Sequence, residues 1–415
     1  MTSDQALIQP FSGLRPAPGR AAEVIAPPYD VVDAEEARRR VAGRPHSFLH
    51  ISRAEVDLPA GTDPYDPQVY ARARASLDAM RAAGVLCLDP APHYYAYRLD
   101  LGGRQQTGLV AGASVAAYAA GRIKKHELTR PAKEDDRVRQ IDALDAQTGP
   151  VFLVHRATAA MRDLLAQTCD AAAPDVDVTA PDGVRHRLWV IAAPEAIAAL
   201  TEAGAALPAL YIADGHHRAA AAARVATERG TAGHGRFLAV LFAHDELDIL
   251  PYHRVVQDLN GLDRDALLTR IGERFDVQPA DAPVQPTART EFGLYCDGRW
   301  WRLRLRDAFL PTATDPVSRL AVSLVHEHLV APVLGITDPR RDARIDFVGG
   351  SRGLDGLMAP VDAGRMRLAL SLPPTGIEEL FAVADAGAIM PPKSTWFEPK
   401  LADGLVSLLL DPLPE

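Results

Sequence analysis

Segments whose apolar residues follow the spacing of a β-strand alternate along this chain with segments that follow the spacing of an α-helix. Each change from the first spacing to the second predicts a strand followed by a helix. The clearest case begins with a short apolar run, Leu207 to Ile212, which is typical of a buried strand. Asp214 and Gly215 then supply a turn, and the alanine-rich sequence from Arg218 onward favours a helix. The pattern therefore predicts a strand, a tight turn and a helix start over residues 210–224.

The same alternation continues on both sides of this junction. Strands are predicted at 151–154, 185–191, 237–242, 292–295 and 300–305, and helices at 66–83, 161–169, 194–203, 263–275, 318–330 and 377–386. Strands that alternate with helices indicate a mixed α/β (α+β) fold. We expect three parts: an N-terminal α/β segment over 1–110, a phosphate-binding core with an insertion over 111–257, and a C-terminal α/β domain over 258–415.

The predicted junction has the chemistry of an anion site. A helix N-terminus directs backbone N–H groups and the positive end of the helix dipole at one point, which favours phosphate. Helix capping alone explains Asp214, and solvation alone explains Arg218, but a helix N-terminus gives no reason for two adjacent histidines. The predicted phosphate-binding residues are Asp214, Gly215, His216, His217 and Arg218.

A second cluster of ionisable residues lies at 123–139. Its first part, His126-Glu127-Leu128-Thr129-Arg130, precedes Pro131 and so lies in an irregular entry to a helix, where polar side chains can converge on a ligand. The helical part that follows is explained equally well as a solvated face with two compensating pairs, Lys133 with Asp136 and Glu134 with Arg137.

Two proline-rich segments present further candidates. Pro27-Pro28 sets a rigid turn that fixes Tyr29 and Asp30, although Asp30 also suits the cap of a helix over 34–41. Near the C-terminus, a loop bracketed by prolines is predicted to contribute substrate-binding residues, although it lacks the glycines of a P-loop. These residues are Lys393, Ser394, Thr395 and Trp396, with Glu398 and Lys400 after them.

Composition narrows the range of functions. The chain has 415 residues and a formal net charge of −9, which disfavours nucleic-acid binding by charge alone and favours small-molecule chemistry. Its three cysteines lack metal-site spacing, and His326 and His328 are two apart on a predicted helix, so they cannot chelate one ion. No basic-apolar leader and no apolar run of roughly 20 residues is present. A cytoplasmic protein without a membrane partner is expected.

Six motifs together resemble one bacterial and archaeal family, catalogued as domain of unknown function one thousand and fifteen. The resemblance extends over nearly the whole chain, which is therefore identified as a member of that family. The motifs are Phe11-Ser-Gly-Leu-Arg-Pro, Ala26-Pro-Pro-Tyr-Asp-Val-Val, Ile123-Lys-Lys-His-Glu-Leu-Thr-Arg-Pro, Asp214-Gly-His-His-Arg, Ile345-Asp-Phe-Val-Gly-Gly and Pro391-Pro-Lys-Ser-Thr-Trp-Phe-Glu-Pro-Lys.

A local resemblance implies chemistry. His126-Glu127, followed by a charged helix and later by Asp214 to Arg218, is similar to the ParB/sulfiredoxin-like fold of free-serine kinases, including the archaeal ADP-dependent enzyme. The resemblance implies that Glu127 is a catalytic base, assisted by His126, and that the turn binds donor phosphates. It also implies ATP, ADP or pyrophosphate as donor and a free hydroxyl metabolite such as L-serine as acceptor, with Thr129 and Arg130 near it. The longer separation of the two motifs here implies an insertion.

The implied reaction agrees with the chemistry of the two motifs. Phosphoryl transfer needs N–H donors and positive charge around the transferring group, usually with Mg²⁺, and a carboxylate that orients the attacking hydroxyl. The same parts would suit a phosphohydrolase, and a ParB-like core could bind a nucleotide as a regulatory switch without turnover. The net negative charge of the chain disfavours DNA as a partner. The sequence fixes neither donor, acceptor nor metal ligands, and a homodimer is one oligomeric state that it leaves open.

Overall fold

The computed structural model describes residues 6–231, 235–312 and 314–410. Its helices are α1 (Ala21–Val24), α2 (Ala34–Val41), α3 (Leu49–Ser52), α4 (Pro67–Ala82), α5 (Val115–Ala119), α6 (Pro131–Leu144), α7 (Ala159–Ala171), α8 (Pro194–Ala205), α9 (His216–Glu228), α10 (Arg264–Ile271), α11 (Ala321–Val325), α12 (Gly353–Asp362) and α13 (Ile377–Asp385). In the described parts of the chain, no helix has both the length and the apolar composition needed to cross a membrane.

The strands are short and numerous, as the sequence predicts for a mixed fold. They are β1 (Ile8–Gln9), β2 (Gly13–Pro16), β3 (Leu86–Leu88), β4 (Tyr94–Leu101), β5 (Arg104–Ser114), β6 (Ile123–Lys124), β7 (Ala146–Gln147), β8 (Val151–His155), β9 (Val176–Thr179), β10 (Arg185–Ile191), β11 (Leu210–Asp214), β12 (Arg236–Ala243), β13 (Asp248–Leu250), β14 (Tyr252–Val256), β15 (Phe275–Ala280), β16 (Glu291–Cys296), β17 (Arg299–Leu305), β18 (Ile345–Gly349), β19 (Leu368–Ser371), β20 (Trp396–Glu398) and β21 (Ser407–Leu409). The mixed α/β class is confirmed.

The chain divides into two compact units, Met1–Leu247 with Pro399–Glu415, and Asp248–Glu398. This division differs from the three parts expected from the sequence. The expected boundary after residue 110 falls inside β5, which pairs with β4 on one side and β12 on the other and so joins the two parts. The C-terminal segment returns to the first unit because β21 pairs with β2 and β7.

A mixed sheet organises the first unit. Nine described strands join it in the order β6-β11-β8-β12-β5-β4-β10-β9, with β1 beside β5. Most neighbours are antiparallel, but β6 runs parallel to β11, and β8 runs parallel to β12. A second sheet in this unit has the order β3-β2-β21-β7.

Helices α4, α6 and α9 pack in sequence beside the sheets, α4 on α6 and α6 on α9. The small alanines of α9, including Ala219 and Ala222, are buried in the sheet's apolar core with Ile212 and Leu241. The helix over 34–41 is capped by Asp33, whose side chain accepts from the amide of Glu36, so Asp30 is not its cap. Asp30 stays outside the helix.

The second unit has an antiparallel sheet in the order β15-β17-β16-β19-β14-β18 and a separate pair, β13 with β20. The predicted hairpin about Asp297-Gly298 is confirmed by the pairing of β16 with β17. The predicted long helix over 318–330 is shorter: α11 starts at Ala321 and continues as a π-helical turn over His326–Val330. The predicted helix over 263–275 ends at Ile271, and Phe275 opens β15.

Candidate functional site

The two motifs of the first unit meet because their strands are parallel neighbours. Leu210 of β11 pairs with Ile123 of β6, and Tyr211 pairs with Lys124. Parallel strands end at the same edge of a sheet, so the residues that follow β6 and β11 lie side by side. His126 and Glu127 are thereby placed beside the turn at Gly215.

The turn has the strand, glycine and helix order predicted from the sequence. Gly215 adopts the left-handed conformation, with φ +96°, between β11 and α9. A Cβ at this position would lie 2.9 Å from Nε of Arg218, so both the dihedral angle and the space require glycine. The first amides of α9 have no partner within the helix, and no side chain at the cap position binds them. This geometry suits an anion.

Asp214 is not the cap of α9, although its residue type suited that role. Gly215 takes the cap position without a side-chain cap, and Asp214 is the last residue of β11. Its Oδ2 lies 3.4 Å from Nζ of Lys400 and 3.7 Å from Nη2 of Arg218. Burial opposes ionisation, but these two cations hold the pKa of Asp214 well below its usual value. Asp214 therefore orders two basic side chains.

Two buried histidines pack against each other beside the turn. The rings of His126 and His216 are perpendicular, with centroids 4.6 Å apart. Burial lowers the pKa of His126 to about 4, although the nearby Asp214 carboxylate and the Ile212 carbonyl act to raise it. Burial also lowers the pKa of His216 far below its usual value. Both imidazoles are therefore neutral at physiological pH, as a helix N-terminus requires.

Backbone amides in the segment from His126 to Arg130 fix the tautomers of His216 and His217. The amide of His126 donates to Nε2 of His216 at 3.5 Å, and the amide of Arg130 donates to Nε2 of His217 at 2.9 Å. A neutral imidazole that accepts at Nε2 carries its proton on Nδ1. His216 and His217 thus present Nδ1–H groups, and the segment after β6 is tied to the turn.

Glu127 is the more open side chain of this group. Its side chain is 51 % exposed, and Oε2 lies 3.9 Å from Nδ1 of His216. Of the next predicted residues, Thr129 donates from Oγ1 to Glu134 at 2.7 Å, and Arg130 occupies the N-cap position of α6. Their assignment to substrate binding stays a prediction.

Arg218 points into the first unit. Its Nη1 donates to the carbonyl of Pro150, and the side chain is nearly buried. The ion pairs predicted along α6 are wrong: Asp136 is bound by Arg137 at 2.6 Å and by the Tyr70 hydroxyl at 2.8 Å, and Glu134 is bound by Thr129. The Tyr70 partner of Asp136 and the Pro150 partner of Arg218 come from distant parts of the chain, so local spacing could not identify them.

The predicted C-terminal residues from Lys393 to Glu398 lie in the second unit, whereas Lys400 belongs to the first. Lys393 has a positive φ of 56°, and its Nζ lies 3.4 Å from the Tyr252 hydroxyl. Ser394 is buried and donates to the carbonyl of Pro391 at 2.6 Å, and Trp396 in β20 donates to Glu398 at 2.7 Å. The role of Lys393, Ser394, Thr395 and Trp396 in substrate binding stays a prediction.

Sequence reasoning missed one charged residue of the first unit altogether. Asp403, in the returning C-terminal segment, is 1 % exposed, and its backbone pairs with Ala26 beside the Pro27-Pro28 turn. Burial raises the pKa of Asp403 to about 7. No motif of known spacing surrounds Asp403, so only the fold identifies it.

The model of the family described as Protein of unknown function (DUF1015) matches residues 8–323. The chain belongs to this family. No curated protein matches the DUF1015 chain.

Solved structures give weak similarities to this DUF1015 protein. A free serine kinase in complex with AMP has a TM-score of 0.34 at 12 % identity, covering 68 % of this chain and 89 % of its own. SbnI with a C-terminal truncation, from Staphylococcus aureus, has a TM-score of 0.38 at 13 % identity, covering 72 % and 87 %. A conserved hypothetical protein from Pyrococcus furiosus has a TM-score of 0.33 at 13 % identity, covering 69 % and 91 %.

Proposed function

We propose that this DUF1015 protein is a phosphotransferase, a kinase that phosphorylates a free small hydroxyl metabolite such as L-serine with ATP, ADP or pyrophosphate. The observation that carries the proposal is the parallel register of β6 and β11, which brings Glu127 to the N-terminus of α9. An anion site and an exposed carboxylate beside it are the two parts that phosphoryl transfer to a hydroxyl requires.

The turn would hold the donor phosphates. First-turn amides of α9 and the helix dipole supply N–H donors and partial positive charge. His217 adds a neutral Nδ1–H, because its Nε2 accepts from the Arg130 amide. Lys400 and Arg218, which lie 3.4 Å and 3.7 Å from Asp214, add two positive charges against its single negative one. Positive charge and donors arranged in advance stabilise the transferring phosphoryl group.

Glu127 would orient and deprotonate the attacking hydroxyl. Of its neighbours in the second motif, His126 is buried, whereas half of the Glu127 side chain is open to a ligand. Because His126 and His216 are both buried, they would act indirectly, by positioning Glu127 and the turn. They do so by packing and by the hydrogen bond of 3.5 Å from the His126 amide to Nε2 of His216. His126 is therefore a positioning residue in this proposal.

Mg²⁺ would enter with the donor. Among the described residues, no three His, Cys, Asp or Glu side chains lie together in a group that could hold a metal ion. Mg²⁺ bound mainly by substrate phosphates needs only one or two protein carboxylates, and Glu127 is a partly exposed one at the turn. These residues fit a metal delivered by the donor, which would neutralise phosphate charge.

The exposure of Glu127 also favours one alternative, a phosphohydrolase, because a carboxylate open to solvent can activate water. A ParB-like nucleotide-binding protein without turnover is the remaining alternative from the sequence. Phosphorus NMR of the purified protein with Mg²⁺ and each donor, with and without L-serine, separates the three. Phosphoserine is expected; free phosphate formed without serine would mean a hydrolase, and an unchanged donor would mean a binding protein.

A further inference from the structure

A cleft in the first unit lies beneath the turn and is separate from the Glu127 site. It encloses about 420 Å³, including space open to solvent, and we name it the Asp403 cleft. Its polar lining includes six residues from five separate stretches of the chain: Tyr29, Ser52, Arg137, Gln140, Arg218 and Asp403. Such convergence of polar groups in one concave space is typical of small-molecule sites.

Two buried polar atoms in this lining have no hydrogen-bond partner in the described parts of the protein. They are Oδ1 of Asp403 and Oγ of Ser52, in residues that are 1 % and 7 % exposed. A buried polar atom without a hydrogen-bond partner destabilises the fold, so such atoms are rare unless a ligand or water binds them. The ionised Asp403 oxygen accepts a hydrogen bond and the Ser52 hydroxyl can accept one as well as donate, so a ligand group that bears several donors can satisfy both atoms.

The guanidinium groups of the cleft are held in place. Arg137 lies over the ring of Tyr29, 4.0 Å from its centroid, and binds Asp136 through Nε and Nη2. Arg218 donates to the carbonyl of Pro150. Fixed guanidinium groups recognise carboxylates well, because little side-chain freedom remains to be lost on binding.

We propose that the Asp403 cleft binds a small zwitterion, an α-amino acid, with its ammonium group held by Asp403 and Ser52 and its carboxylate facing Arg137 and Arg218. The ammonium group supplies the donors that the two unpartnered oxygens lack, and the carboxylate complements the two cations. The site shares only Arg218 with the proposed phosphate site. Binding requires no phosphoryl transfer, so the inference goes beyond the proposed function.

Calorimetric titration of the full chain without any donor tests this. The probes are L-serine, L-glutamate, L-lysine and L-phenylalanine, with ethanolamine lacking the carboxylate and glycolate lacking the ammonium group. At least one amino acid should bind. Ethanolamine and glycolate should bind at least about tenfold more weakly than the amino acid that binds most tightly. Absence of binding by all four amino acids at millimolar concentration, or equal binding of glycolate, would overturn the proposal.

Variants locate the binding. Asp403→Asn should weaken amino-acid affinity by about tenfold or more, and Ser52→Ala by a smaller factor. Asp403→Asn removes a buried charge and should fold; Asp170→Asn, at an exposed aspartate of α7, is the matched control and should bind like the parent. Unchanged affinity in Asp403→Asn would refute this site. Failure of phosphoryl transfer with intact amino-acid binding would refute only the proposed function.

Discussion

Asp403 shows how burial sets the behaviour of one residue. Desolvation raises its pKa to about 7; the Arg218 and Arg137 guanidinium groups and the Tyr29 amide oppose the rise, and the Asp30 carboxylate adds to it. The unfolded chain ionises this group near its ordinary value of 3.8. Between these two values the folded protein retains a proton that the unfolded chain has lost, so the free energy of unfolding falls as pH rises.

Asp403→Asn cannot titrate and should escape this loss. The melting temperature of the variant relative to the parent should therefore rise as pH increases from about 4 to about 7 and then level off. Thermal unfolding across this range measures the difference, with Asp170→Asn as the control for substitution of an exposed aspartate. A constant difference between Asp403→Asn and the parent would contradict the assigned pKa.

Arg218 belongs to both proposed ligand sites. Arg218→Ala should weaken donor binding by about 1.5–3 kcal/mol, the contribution of a charged hydrogen bond. It should also lower stability, since the bond to Pro150 is lost. Arg224→Ala, at an exposed arginine on the same helix, is the control in donor titrations. Equal donor affinity in the two variants, with weaker amino-acid binding in Arg218→Ala, would assign Arg218 to the Asp403 cleft alone.

At the level of elements, the junction of β11 and α9 depends on the conformation of Gly215. Gly215→Ala should cost roughly 1–3 kcal/mol of stability, because alanine is strained at positive φ and its Cβ collides with Arg218. Gly230, after the same helix, has φ +71° and open space around it. Gly230→Ala should therefore cost less, about 1–2 kcal/mol from strain alone.

Urea unfolding of the two alanine variants, with donor titration, separates strain from collision. Gly215→Ala should lose both stability and donor affinity, and Gly230→Ala should lose only stability. Equal effects in the two variants would show that neither stability nor donor affinity depends on the close approach of Arg218 to the turn.

Local sequence predicts the elements of this site well and their partners poorly. The turn, the helix after it and the entry before Pro131 are visible because glycine, proline and apolar spacing act within a few residues. The pairing of Asp136 with Tyr70 and of Asp214 with Lys400 depends on residues far away in the chain. Local spacing therefore did not identify Tyr70 and Lys400, although the nearby Arg137 and Arg218 also pair with these two aspartates.

On the scale of the whole molecule, the class of fold follows from the alternation of strands and helices, but the sheet order does not. Arg130 and His217 are 87 positions apart, yet the amide of one donates to the ring of the other. The two strands that place them, β6 and β11, are parallel neighbours in a mostly antiparallel sheet. Periodicity carries no information on such pairing, and the return of the C-terminal segment to the first unit is equally hidden.

The central claim is that the segment after β6 and the turn after β11 form one phosphoryl-transfer site. The rate of phosphoserine formation in Glu127→Gln tests it most directly, with Glu195→Gln, at an exposed glutamate of α8, as the control. Glu127→Gln should lower turnover by about 10²–10⁴-fold and leave the affinity for the donor, measured without Mg²⁺, unchanged, because the turn is intact. Turnover equal to that of the parent and of Glu195→Gln would contradict the account.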